Sequence, residues 1–129
     1  MSTALVRTPR SGSVIRRYDF PRTTRAAILR IFKNSPTALH VETVEVKMNH
    51  FLENKVNPDF DWEFPSLIKG GEPMSLERTV DCLYSDGFLF GEPHGKDKEE
   101  IKFSISPKGE KQLLDRYYKQ SLRLNLGLK

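Results

Sequence analysis

The chain has 129 residues, of which 37% are apolar and 29% charged, with a formal net charge of +4. That length sets one domain with room for a single core. Lone Cys82 excludes an intramolecular disulfide framework and a cysteine-based metal knuckle. With no apolar run of signal-like or membrane-spanning length, collagen, a disulfide miniprotein and a membrane protein all drop out, and a reducing, cytoplasmic setting is expected.

Charge changes along the chain. Residues 1–30 hold seven Arg and no Lys against the single carboxylate Asp19, and residues 31–41 add Lys33. Residues 42–92 carry eleven carboxylates against four cations, and residues 93–129 return to nine cations against five carboxylates. An arginine arm thus precedes an acidic middle and a basic end, which matters for any polyanion partner.

Residues 1–21 read as a basic flexible arm, because Pro9, Gly12 and scattered Ser and Thr interrupt it and Leu5, Val6, Val14 and Ile15 keep no period. From Thr23 or Thr24 as N-cap, Ala27, Ile28, Ile31 and Phe32 predict a first helix that Asn34-Ser35-Pro36 stops. Val41, Val44, Met48, Phe51 and Leu52 predict a second within 39–54. Residues 57–73 then form a long acidic-aromatic insertion, in which Phe60, Trp62 and Phe64 alternate with Asp59, Asp61 and Glu63.

Ser75 is placed to cap a third helix carrying Leu76, Val80, Leu83 and Tyr84 on one face, with Gly87 as its left-handed terminator. Phe88-Leu89-Phe90, a polar turn over 91–97, and Ile101, Phe103 and Ile105 in alternation predict a β-hairpin. Ser106-Pro107-Lys108-Gly109 opens a last helix with Leu113, Leu114, Tyr117, Tyr118 and Ser121 on neighbouring turns. Leu122, Leu124, Leu126 and Leu128 then alternate with polar residues. This tail reads as a strand that pairs with a sheet edge, as a helix whose far side packs on a second copy, or as a frayed end. A homodimer is expected from the first two.

Two stretches carry a family likeness. Leu83-Tyr84-Ser85-Asp86-Gly87-Phe88-Leu89 resembles the leucine, glycine, aromatic, aliphatic exit of the third helix in the MarR and PadR-like winged helix-turn-helix families, and Ile105-Ser106-Pro107-Lys108-Gly109 with Leu113 is similar to their Leu-Thr-x-x-Gly opening of the helix after the wing. The likeness covers about residues 22–121, and winged helices of this kind also occur as small phage and prophage proteins. It implies an α+β winged helix over 22–129: three helices, a β-hairpin wing and a C-terminal helix, with the insertion at 57–73 separating the second and third helices.

The resemblance implies a regulator that binds duplex DNA. Candidate contacts are Arg10, Arg16, Arg17, Arg22 and Arg25 from the arm and first helix, Arg78 on the third helix, and wing residues Lys96, Lys98 and Lys102. Guanidinium binds phosphate in a forked manner, which suits an arm of Arg without Lys. The third helix would present Glu77, Arg78, Asp81 and Ser85, of which only Arg78 is a residue type that reads bases or phosphates. Deleting the first 20 residues is expected to remove most of the binding.

Other readings of the same residues stand beside this one. An Arg-rich, Ser-containing, acid-poor N-terminus is also the composition of a mitochondrial transit peptide, or of a merely solvated tail. Phe60, Trp62 and Phe64 share one side at period two and would anchor a protein partner, making the chain an interaction adaptor, or else fold inward to close the core. Asp59-x-Asp61-x-Glu63 lacks the glycine of a calcium loop, so no metal is expected. His40, His50 and His94 have no zinc spacing, and no nucleophile elbow or phosphate loop occurs, so neither enzymatic activity nor a cofactor is expected.

Overall fold

A computed structural model of the chain describes residues 19–66, 68, 70–94 and 100–128, with 93 and 94 described by their backbone alone. The described residues form an α+β unit of five helices and one two-stranded antiparallel hairpin. The predicted flexible arm and transit segment, apart from their last residues, and the tip of the wing lie outside the described residues.

Helix α1 (Phe20–Lys33) starts earlier than the threonines suggest. Asp19 caps it by accepting from the Arg22 amide at 3.2 Å, and Pro21 fits the first turn, where its missing N–H is no loss. Thr23 and Thr24 are instead buried one turn in, their hydroxyls donating back to the Asp19 and Phe20 carbonyls. Ala26, Ala27, Ile28, Leu29, Ile31 and Phe32 are buried behind them. With eight of its residues buried and its cations left toward one side, α1 lies at the centre and packs on α2, α4, α5 and β2.

Helix α2 (Val41–Glu53) buries Val44 and Met48 and turns Glu42, Glu45 and Glu53 outward. Just before it, Leu39 pairs with Phe103 through reciprocal 2.8 Å backbone hydrogen bonds. Helix α3 (Leu76–Ser85) is capped by Ser75, which accepts from the Arg78 amide. It ends as predicted: Gly87 has φ +87°, the Gly87 amide bonds the Tyr84 carbonyl and the Phe88 amide bonds the Leu83 carbonyl.

Strands β1 (Leu89–His94) and β2 (Glu100–Ile105) pair in the register Leu89 to Ile105 through His94 to Glu100. The first strand is longer than expected, since Gly91 continues the ladder instead of starting the turn. A Cβ there would come within 3.1 Å of the Tyr84 ring and 3.4 Å of Ile101, so the glycine serves close approach of α3 to the hairpin. The bridge to Leu39 adds a third segment at the β2 edge.

The predicted last helix is two. Helix α4 (Pro107–Leu113) opens at Ser106, whose hydroxyl accepts from the Gly109 amide and donates to the Gly87 carbonyl. Asp115 then captures the Tyr117 amide at 2.8 Å and starts helix α5 (Arg116–Leu126), because a local cap competes with continuing the earlier helix. Of the three readings of the leucine tail the structure has the helix and not the strand: Tyr118, Ser121, Leu122, Asn125 and Leu126 face inward at helical spacing, and Gly127 with φ +70° ends the helix. Period two among 122–128 arises from leucines on two sides of one helix. Among the described residues no helix is long and apolar enough to cross a membrane.

The insertion is held by buried polar groups. The amides of Val56 and Asn57 both donate to the Asn125 carbonyl at 3.1 Å. The Asn57 side chain donates to Asn125 Oδ1 at 2.7 Å, Asn125 Nδ2 donates to Thr23 Oγ1 at 2.8 Å, and Thr23 and Ser121 share a hydroxyl–hydroxyl bond. The Glu63 amide completes the set by donating to Thr24 Oγ1. Four chain segments are thereby clipped together around α1 and α5, every donor placed against an acceptor as burial requires.

Candidate nucleic-acid interface

The predicted contact residues fall in several places. Arg22 lies at the start of α1, paired with Asp19 at 3.2 Å and standing 5.5 Å over the Tyr117 ring. Arg25 is half-buried one turn on. Burial pushes the Tyr118 phenol above its ordinary pKa, while the charges of Arg25 and then Arg22 pull it the other way. These two guanidiniums thus sit against α5. Arg78 is exposed on the first turn of α3, and Lys102 is half-buried on the hairpin, in register with Glu92. Arg10, Arg16, Arg17, Lys96 and Lys98 lie outside the described residues.

Helix α3 presents the face expected of it, with Glu77, Arg78, Asp81 and Ser85 all exposed. Beside them Tyr84 packs edge-on to Phe103 at 5.8 Å while keeping 46% of its surface exposed. Two carboxylates flanking one guanidinium repel phosphate at close range, so this helix is a poor insert for a groove.

The insertion does not offer its aromatics to a partner. Phe60 is fully buried, packed edge-on between Phe20 at 5.0 Å and Trp62 at 5.2 Å, and Trp62 and Phe64 are half-buried against the same core. Of the two readings of these aromatics, the structure has the inward one: the chain turns about Asn57, and the bonds to Asn125 and Thr24 draw the segment inward. Trp62 Nε1 is buried with no hydrogen-bond partner among the described residues, and the indole is held by its packing on Phe60.

A cation cluster that the sequence does not announce lies elsewhere. Arg30 and Lys33 from the last turns of α1, Lys111 from α4 and Lys119 from α5 line one cleft of about 550 Å³. Lys33 is paired with Glu110 at 2.8 Å. The excess of cations in residues 93–129 was the available signal, yet only the fold brings 30–33 and 111–119 together.

The remaining chemistry-bearing groups are paired off. His40 faces Glu100 at 3.4 Å, His50 faces Glu53 at 3.5 Å, and the Cys82 thiol contacts Met74 Sδ at 3.7 Å. Among the described residues no three His, Cys, Asp or Glu side chains gather to hold a metal ion. No protein-family model, curated protein or solved structure matches the chain.

Proposed function

We propose that the chain is a winged-helix protein that binds nucleic acid as a dimeric, non-enzymatic, cytoplasmic regulator. The observation that carries this reading is the pairing of Leu39 with Phe103, which sets a strand segment between the first two helices against the hairpin and leaves α3 packed on β1 with its polar face outward. This arrangement is compatible with a wing beside a recognition helix, and the likeness of Leu83–Leu89 and Ile105–Gly109 to winged-helix families supports the same reading.

The charges define how such a protein engages a duplex. Glu77 and Asp81 hold α3 off the groove floor, so affinity rests on phosphate contacts from Arg10, Arg16 and Arg17 in the arm, with Arg78, Lys96, Lys98 and Lys102 setting orientation. Because Asp19 caps α1, the test keeps the arm and replaces its guanidiniums. In a salt-titrated mobility shift, Arg10→Gln/Arg16→Gln/Arg17→Gln is expected to weaken duplex binding at least tenfold and to flatten the salt slope by about three, while Arg78→Ala costs less. Equal affinity of the triple variant and the parent would sink the proposal. Sedimentation in the same buffer reads the dimer.

A further inference from the structure

We propose that the face formed by the end of α1, helix α4 and the start of α5 docks an acidic amphipathic helix of a partner protein, independently of the nucleic-acid reading. Two depressions adjoin there. The cleft of about 550 Å³ has cations at its edge and Leu113 and Leu122 in its floor, and a neighbouring one of about 600 Å³ lies between Phe88, Lys108 and Asp115. Lys111 and Leu114 line both. Leu114 is 68% exposed, at the break where Asp115 starts α5, so it stands as an apolar ridge between the two hollows, with Leu113 and Leu122 on one side and Phe88 on the other.

The charge around this ridge is one-sided. Five cations and two carboxylates border the two depressions. Lys33 and Glu110 pair with each other, Lys108 donates to the Asp86 carbonyl, and Asp115 accepts from the α5 amides, so the excess of positive charge is carried by Lys111 and Lys119 with Arg30. Lys111 and Lys119 make no ion pair among the described residues. Apolar knobs one helical turn apart straddle a single side-chain ridge, and carboxylates flanking them meet the lysines. A phosphate backbone would leave Leu114 unused. A second copy of this chain offers carboxylates on α2 and α3, but those helices turn Val44, Met48, Val80 and Leu83 into their own core and expose one large apolar side chain each, Val46 and Tyr84, where straddling Leu114 takes two.

The test uses the full chain and a fluorescent synthetic helix of about 16 residues, with leucines at i, i+3, i+4 and i+7 flanked by glutamates. Saturable binding is expected, weakened at least tenfold by Leu114→Gln, by Lys111→Glu/Lys119→Glu, and by scrambling the peptide at fixed composition. Both variants alter exposed side chains, and circular dichroism verifies their folding. Binding that ignores Leu114→Gln and yields to an oligonucleotide competitor would reassign the face to phosphate and overturn the proposal. Self-association of the chain abolished by Leu114→Gln would assign it to a second copy, and absence of peptide binding at millimolar concentration would refute docking outright.

Discussion

The two ends of the domain are stabilised by opposite means. Where α3 meets the hairpin, the contacts are apolar and close: Val80, Leu83, Leu89 and Phe103 are buried, and Gly91 and Gly109 remove side chains where backbones must approach. Where α1 meets α5, the centre is a chain of hydrogen bonds among Thr23, Ser121, Asn125 and Asn57. Apolar packing tolerates small shifts, whereas a buried polar chain is favourable only when every member has its partner. The hairpin end is therefore held by shape and the α1–α5 end by pairing.

The largest effect is expected from the shape-held end. A Cβ at Gly109 would run into the Phe88 carbonyl oxygen and the Ile105 side chain, neither of which has room to yield. Gly109→Ala should lower stability by about 3 kcal/mol, measured by urea unfolding. A loss below about 1 kcal/mol would mean that the hairpin end is looser than described.

The next effect separates the two modes. Asn125→Leu strands the Asn57 side-chain amide in a buried space while Thr23 keeps Asp19 and Ser121, at a cost of about 2 kcal/mol. A double-mutant cycle pairing Asn57→Ala with Asn125→Ala should return a coupling of about 1 kcal/mol. Additive effects would show that the polar chain is held up by its surroundings and contributes no pairing energy of its own.

The smallest effect is a pH dependence. Tyr118 has a raised pKa in the folded protein, so the unfolded chain releases this proton first. Its contribution is full below the ordinary tyrosine value of about 10 and is lost as pH rises through the higher native value. Unfolding free energies followed upward from about pH 9 should fall less steeply for Tyr118→Phe than for the parent. Parallel curves would remove Tyr118 as the responsible group.

This contrast also explains what could be read in the sequence. Periodicity reports apolar faces, so α2, α3 with its Ser75 cap and Gly87 terminator, and the hairpin were legible. The polar end was not. Thr23, Thr24, Ser121 and Asn125 are residue types that ordinarily mark caps, turns or surface, and nothing local says that they will satisfy one another. The same blindness left the tail after Ser121 open between strand, helix and frayed end, since the inward face of α5 mixes Asn125 and Ser121 with Leu122 and Leu126. It also left Phe60, Trp62 and Phe64 open as surface anchors, because their burial depends on the link from Asn57 to Asn125. For the candidate interface, the face of α3 was legible from spacing, but the cleft shared by Lys33, Lys111 and Lys119 joins segments distant in the chain and was not.

The bonds from Thr23 to Ser121 and to Asn125 span 98 and 102 residues. Helix α1 is made well before those partners and sits at the centre of the domain, so the Thr23 hydroxyl, which donates locally to the Asp19 carbonyl, meets its distant partners only once residues 121–125 have left the ribosome. Contacts of such long sequence separation are closed late and slowly. Until α5 emerges, the face of α1 that it covers stays open to water, so a nascent chain stalled short of residue 121 is expected to aggregate more readily than the finished domain.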